Sequence, residues 1–340
     1  MGVRGIGRGR SNRLAAGALL GVLAAANLTA CGLGAGPAPH EVQLTVTRDF
    51  GSATVGSWRA PQVRGQETVM SLLIRNARVA TRYSGGFVQS IDGISGGREH
   101  GQQVDWFYYV NGSEAPLGGA ATVVHPGDHI WWDRHDWSQT DHIPAVVGSF
   151  PEPFVNGIGG KRLPVRIECA LVTGAACRAV RTRMRELAVP AAVAPLGGGA
   201  GPRTLRVVVA ELGSLAADPA AQAIGRGPAA SGVYARFSSR GSSLTLLDED
   251  GGAARTLGAG TGLIAATASG EAAPAWLIAG TDTQGVKRAA SRFGAAALRN
   301  HFAVALSAAP AISTHRRRHR ARRPTARAAR AGETARARRC

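Results

Sequence analysis

Apolar and polar residues alternate strictly at the start of the folded part of the chain. From Glu41 to Phe50, apolar residues at positions 42, 44 and 46 alternate with polar ones, the period-two pattern of a half-buried strand. Between residues 66 and 77 the apolar residues recur at helical spacing instead, which predicts one helix packed on the sheet. Several short strands follow, with a tight turn at Asn111-Gly112. This order predicts a small α+β domain with a single helix over residues 41–148.

The pattern changes after the proline-rich segment IPAVVGSFPEPF. Near-continuous apolar runs such as TLRVVVAEL now alternate with helical patterns such as AACRAVRTRMREL. Strands buried on both faces and joined by helices are typical of a parallel sheet, so residues 158–308 are predicted to form an α/β layer domain. The proline-rich segment itself is predicted to be an extended connector between the two domains.

Two stretches of the second domain resemble anion-binding loops. The glycines at 258, 260 and 262 precede an apparent strand, whereas the dinucleotide fingerprint needs a helix there, so a plain loop is predicted. A later helix takes Thr281, Asp282 or Thr283 as its N-cap and directs backbone N–H groups towards a place where an anion can sit. Most helix starts bind no anion, so neither stretch predicts a cofactor.

Residues 1–31 have the pattern of a secretory signal rather than of a folded segment. An arginine-rich head is followed by a short apolar run that ends in Leu28-Thr29-Ala30-Cys31. This ending resembles the bacterial lipobox, in which the cysteine is lipidated, for example with palmitate, and becomes the new N-terminus. The resemblance implies a protein anchored by Cys31 to the extracytoplasmic face of the cell membrane, with residues 32–40 as a flexible tether. The alternative is an ordinary signal peptide that happens to end near a cysteine.

Most of the formal net charge of +18 lies at the two ends of the chain. Four arginines of the signal supply +4, the residues from His315 onward supply +10, and only +4 remains for the predicted domains. The tail, residues 309–340, lacks apolar periodicity and is predicted to be disordered. It either contacts anionic lipid headgroups or wall polymers through charge, or is simply solvated. Nucleic acid is not expected as a partner of an exported protein.

The cysteines after Cys31 permit one local disulfide. Cys169 and Cys177 are close in sequence, and the oxidising envelope allows them to be joined. Two buried free thiols are the alternative. No CxxC or Cys/His zinc spacing occurs, which excludes a structural zinc module.

The stretch DHIWWDRHDW, residues 128–137, concentrates histidine, aspartate and tryptophan. If it forms a strand, His129, Asp133 and His135 share a face and are candidate metal ligands. His129 and His135 are, however, ~20 Å apart on a straight strand, too far to share one ion. No metal site is therefore predicted unless the strand bends.

The tryptophans of the same stretch suggest a binding surface instead. Trp132 is predicted to pack inward, whereas the face that carries Trp131 is predicted to be half open. Such a face can stack a flat ligand or a sugar ring. The candidate wall consists of Trp106, Tyr108, Trp131, Trp132 and Trp137. The alternative is that these aromatic residues simply fill a small sheet.

Three segments together resemble a known family. FVQSIDGISGG, DWFYYVNGSEAP and VVHPGDHIWWD are similar to the bacterial family related to the C-terminal β-domain of transcobalamin and intrinsic factor. The resemblance covers roughly residues 41–137. It implies a β-grasp-like fold and, by analogy with the vertebrate carriers, one lid of a corrinoid pocket.

Three functions follow from these observations. The first is a lipid-anchored envelope protein that binds a corrinoid, another flat ligand or a glycan. The second is a non-catalytic structural protein that docks to a membrane transporter or a wall polymer. The third is a hydrolase that uses Asp105, Asp133 and His135, with Asp136 as a further acid. No GxSxG, P-loop or HExxH motif supports the third, and no enzyme is predicted.

Overall fold

The computed structural model describes residues 38–307 and the backbone of residues 312 and 313. The predictions for the signal, Cys31, the start of the tether and the tail concern residues outside this part. The described chain mixes helix and sheet, with many strands and few helices, as predicted for an α+β protein. Within it, no helix combines the length and the apolar composition that a membrane crossing requires.

Residues 41–137, here called the first module, form two sheets and one helix. The main sheet has the order β2-β1-β9-β7-β6, with β8 also on β7, and β3-β4-β5 is a separate antiparallel sheet. Strands β1 and β9 are parallel, and the other pairs are antiparallel. The elements are β1 (Gln43–Arg48), β2 (Ala53–Trp58), α1 (Val69–Asn76), β3 (Val79–Arg82), β4 (Phe87–Ile91), β5 (Ile94–Ser95), β6 (Gly97–Glu99), β7 (Gln102–Val110), β8 (Ser113–Glu114) and β9 (His129–Asp136).

Helix α1 covers one face of this main sheet. Thr68 caps it, because the Thr68 hydroxyl accepts a hydrogen bond from the Ser71 amide at 3.2 Å. Its apolar side, with Leu72 and Leu73, joins the core of the first module, whereas Ile74 is 51% exposed. The predicted helix is thus confirmed. Ile74, one of the apolar residues that predicted its buried side, is the exception.

Residues 165–307, the second module, are built on a seven-stranded sheet that continues to residue 313. Its order is β11-β10-β12-β17-β16-β18-β19, parallel from β11 to β17 and antiparallel beyond; β13-β14-β15 is a separate antiparallel sheet. The strands are β10 (Val165–Cys169), β11 (Ala191–Pro195), β12 (Leu205–Glu211), β13 (Ala235–Phe237), β14 (Leu244–Leu247), β15 (Ala253–Leu257), β16 (Gly262–Thr267), β17 (Ala275–Gly280), β18 (Val304–Leu306) and β19 (Ile312–Ser313). The helices are α2 (Ala175–Glu186), α3 (Pro219–Arg226), α4 (Pro228–Ser231), α5 (Thr283–Ser291) and α6 (Ala295–Leu298), with a 3₁₀ turn at Leu212–Leu215.

The large sheet is buried on both faces, as its apolar runs predicted. Val207 and Val209 of β12 pack in one core with α2 and α5, and Val208 and Ala210 pack in a second core with α3 and the small sheet. At the end of β10, a disulfide joins Cys169 to α2.

The proline-rich segment is not the extended connector that was predicted, because residues 148–156 form consecutive turns. Its apolar side chains are buried, and those of Phe150 and Phe154 belong to the core around α2 and α5. Ile143 and Val146 pack instead in a cluster that also contains residues of both modules. The prediction was wrong because proline spacing indicates local backbone shape but not what the apolar side chains between the prolines contact.

Candidate functional site

The alternation predicted for β9 divides its side chains between two buried faces. Ile130 and Trp132 belong to the core under α1, whereas Trp131 belongs to a different cluster on the opposite face. Strand β7 pairs with β9 so that Tyr109 lies opposite Trp131 and Phe107 opposite Asp133. We call this second face, formed by β7 and β9 away from α1, the aromatic face.

The five predicted wall residues do not form one surface. Tyr108 stacks on Trp132 with 4.8 Å between ring centroids, and the Trp106 indole donates to the Ile94 carbonyl at 3.1 Å. These three aromatic side chains lie on the α1 side of the sheet, and Trp131 lies on the other. Trp137 follows β9, and its indole N–H donates to the Asp105 carboxylate at 3.0 Å.

One aromatic residue of the second module is inserted into the aromatic face. The ring centroid of Phe302 lies 5.1 Å from that of Trp131, 5.4 Å from those of Phe50 and His135, and 5.5 Å from that of Tyr109. Trp131 is 0% exposed. The prediction of a half-open face was therefore wrong, because Phe302 and its neighbours cover it.

The proline-rich segment also approaches Trp131 closely. A Cβ added to Gly148 would lie 2.6 Å from the ring of Trp131, so only glycine fits there without movement of the indole. On the aromatic face, Phe302 and Tyr234 were missed by sequence reasoning, because isolated aromatic residues near a predicted strand carry no signal of their partner.

The carboxylate of Asp133 is the buried polar centre of the aromatic face. It accepts hydrogen bonds from the Thr47 hydroxyl at 2.5 Å and from the backbone amides of Phe50 at 3.1 Å and Gly51 at 2.8 Å. The Nδ1 atom of His135 lies 2.9 Å from the same carboxylate. With this many partners, the carboxylate is compensated for its loss of water.

The acid and base candidates are only partly brought together. Asp105 lies opposite His135 on the neighbouring strand, beside the bonded Asp133–His135 pair. Burial raises the pKa of the Asp105 carboxyl, against the opposing effect of its Trp137 hydrogen bond. Asp136 alternates to the other face of β9.

Two of the three candidate metal ligands, Asp133 and His135, contact each other, whereas His129 has another partner. The Nε2 atom of His129 lies 2.9 Å from the Thr45 hydroxyl, whereas His135 bonds Asp133. Among residues 38–307, no group of three or more histidine, cysteine, aspartate or glutamate side chains is placed to hold a metal ion.

His129 is the clearest source of pH-dependent stability. Its pKa is lowered to about 4, chiefly because burial disfavours the charged imidazolium, with a smaller contribution from the charge of Arg299. In the unfolded chain, histidine titrates near pH 6.5. The stabilisation of the neutral folded form is thus fully present above pH 6.5 and is lost as the pH falls towards 4.

A His129→Gln variant should therefore change the pH profile of unfolding. Between pH 7 and 4, the stability of the wild type relative to this variant should fall by about 3 kcal/mol, measured by urea denaturation at each pH. Asp128, whose pKa burial raises, acts in the opposite direction in both proteins and cancels in the difference. His100→Gln, at a histidine whose side chain is 79% exposed, serves as the control and should follow the wild type. Parallel profiles for wild type and His129→Gln would contradict the assignment.

A second candidate site lies on the large sheet of the second module. A cavity of about 460 Å³ is lined by Glu168, Arg206 and Asp218, with apolar walls that include Leu215 and Pro219. Sequence reasoning missed it. A signal was present, since Arg166 and Glu168 alternate with apolar residues in the predicted strand LPVRIECALV.

The helix start that was considered for anion binding is occupied by the protein itself. The Asp282 carboxylate accepts the Gly285 amide of α5 at 2.8 Å and the Gly260 amide of the glycine-rich loop at 2.6 Å. These hydrogen bonds lower the pKa of Asp282. Residues 258–261, before β16, form a loop, as predicted.

Comparison with known families concerns the first module alone. Residues 66–136 match a family described as Domain of unknown function (DUF4430). The match runs from the start of α1 to the end of β9, and it includes Trp106, Tyr108, Trp131 and Trp132 but not Trp137. No curated protein and no solved structure matches the chain.

Proposed function

We propose that the protein is a non-catalytic lipoprotein of the cell envelope whose first module is a docking domain. The lipobox-like sequence ending in Cys31 supports an anchor on the extracytoplasmic face of the membrane. The net charge of +10 from His315 onward supports further contact with anionic headgroups or wall polymers. Within the chain, the docking partner of the first module is the second module.

We propose, further, that the first module is a β-grasp-like domain of the transcobalamin type. Support comes from its topology, in which the β1–β2 hairpin precedes α1 and the first strand runs parallel to the last, β9. The sequence segments that resemble the transcobalamin family lie in the same module. The resemblance implies a lid over a corrinoid.

The complete burial of Trp131 is the observation that carries the docking role. Its ring packs against Phe302 of the second module, in a cluster that also contains Tyr234 and Leu247 from that module. A large aromatic side chain enclosed in this way presents no ring face to a ligand from solution. Trp106, Tyr108 and Trp132 lie in or beside the core under α1, and Trp137 donates to Asp105, which argues against a single wall of all five residues for a flat corrinoid.

The same burial argues against hydrolysis at the Asp133–His135 pair. The two side chains are 0% and 1% exposed, and the carboxylate is saturated by hydrogen bonds from Thr47, Phe50 and Gly51. A general base has to reach the proton that it removes. His135 instead packs its ring against Phe302 of the second module, and Asp133 bonds His135 and the β1–β2 turn within the first module.

The anchor is tested by metabolic labelling in a bacterial host that lipidates envelope proteins. Cys31→Ser should lose incorporation of labelled palmitate to background, because no thiol remains in the lipobox-like sequence. The variant should also move from the membrane fraction to the soluble fraction if the signal is still cleaved.

Cys340→Ser is the matched control, since Cys340 is the other cysteine outside the Cys169–Cys177 disulfide. It should keep full labelling. Label retained by Cys31→Ser, or lost by Cys340→Ser, would rule out the anchor at Cys31.

A further inference from the structure

The cavity of the second module lies where the connections of the sheet diverge. Strand β10 connects through α2 to β11 on one side, whereas β12 lies on its other side. In α/β sheets, ligands bind in the crevice beyond the carboxyl ends of the strands at such a switch point. The cavity walls come from segments 196–200 and 214–219, which follow β11 and β12, and the floor extends back along the sheet to Arg206, the second residue of β12.

The polar floor of the cavity is a balanced set of charges. Arg206 donates to Glu168 through Nε at 3.2 Å and Nη2 at 2.9 Å, and Nη2 also lies 2.6 Å from the Asp218 carboxylate. Arg166 does not line the cavity but lies beside this floor, with its Nε atom 3.6 Å from Glu168, and it donates to the Gly198 carbonyl at 2.9 Å. Two guanidinium groups therefore face two carboxylates.

This balance selects against charged ligands. An anion attracted by Arg206 meets Glu168 and Asp218, and a cation attracted by those carboxylates meets Arg206, with Arg166 close behind Glu168. Hydroxyl groups suit both partners, because each hydroxyl donates to a carboxylate and accepts from a guanidinium.

The walls beside this floor are apolar. Leu196, Leu215 and Pro219 line the cavity together with the small side chains of Ala200 and Ala217. Such surfaces pack against C–H groups but offer no hydrogen bonds. A ligand that fits the whole cavity therefore has hydroxyl groups on one side and C–H groups on another.

We propose that this cavity is a binding site for a neutral saccharide, with room for about one or two sugar rings in a pocket of ordinary ligand-binding size. Neighbouring ring hydroxyls bind the Arg206–Glu168–Asp218 floor, and the C–H face of the ring packs on Leu215 and Pro219. The site is separate from the aromatic face, and its assignment does not depend on the lipid anchor or on the docking role.

The proposal is tested on the folded protein with defined sugars. Glucose, N-acetylglucosamine and trehalose are titrated by calorimetry and by saturation-transfer NMR, with glucuronate, glucosamine and arginine as charged probes. At least one neutral sugar should bind saturably and at least tenfold more tightly than any charged probe.

Matched substitutions locate the site. Ala217→Trp should fill the cavity and weaken sugar binding at least tenfold, whereas Ala216→Trp, at the neighbouring exposed residue that does not line the cavity, should bind like the wild type. Ser214→Tyr is a second filling variant, for use if Ala217→Trp unfolds. No binding of any of the three sugars, tighter binding of a charged probe, or equal binding by the filling variants and Ala216→Trp would overturn the proposal.

Discussion

Replacing Trp131 with alanine should lower the free energy of unfolding by about 4 kcal/mol, the range found when a large buried aromatic side chain is removed. The substitution empties a space bounded by Phe302 and by Gly148. It also removes the indole N–H that donates to the Thr47 hydroxyl at 2.7 Å. Because Thr47 in turn donates to Asp133, the substitution also removes a contact that orients this hydrogen bond. Urea denaturation followed by circular dichroism measures the change.

Trp137→Ala is the matched control, because this tryptophan is only half buried and donates one hydrogen bond to Asp105. Trp137→Ala should lower the free energy of unfolding by about 1 kcal/mol. Cobinamide, added to wild type and to both variants, should leave tryptophan fluorescence and the corrinoid spectrum unchanged. Saturable quenching by the wild type that Trp131→Ala abolishes without loss of stability would mean that the aromatic face binds a ligand and not the second module.

Replacing Asp133 with asparagine should lower the free energy of unfolding by about 3 kcal/mol, although the two side chains have nearly the same shape. The amide group has one acceptor oxygen for the Phe50 and Gly51 amides, and its NH₂ group faces donors where the carboxylate accepted them. A buried donor without an acceptor is the costly outcome. The urea midpoint at pH 7 measures the effect.

Asp105→Asn provides the comparison for this carboxylate. Burial already disfavours the charge on Asp105, and asparagine still accepts the hydrogen bond from Trp137. The loss of stability should stay below about 1 kcal/mol. Equal effects of the two substitutions would show that the Asp133 network contributes no more than an ordinary half-buried carboxylate.

Local patterns predicted the elements with strong periodicity. Strand β1, helix α1 and the turn at Asn111-Gly112 were predicted, and both turn residues adopt positive φ. Strands β2, β11 and β15 were not predicted. Most of their residues are exposed or only half buried, so they carry no alternation of apolar and polar residues.

These local patterns could not predict which segments distant in sequence pack against each other. Alternation placed Trp131 and Asp133 on one face of β9, but nothing near them in sequence indicates that Phe302 covers that face. The aromatic residues were correctly recognised as unusual, and the wrong inference was that unusual aromatic residues mark an open surface. The charged floor of the cavity was detectable in β10, where Arg166 and Glu168 interrupt an apolar strand.

The burial of the proline-rich segment determines which piece of this chain can be inherited or engineered as a unit. Recombination or a protein fusion that separates the modules between Ile143 and Phe154 would leave apolar side chains of both cores in water. The smallest exchangeable unit is therefore the pair of modules, together with the segment between them. A protein that acquires only the portion matching DUF4430 would lack Phe302. Another part of that protein would have to supply an aromatic side chain of similar size to cover Trp131.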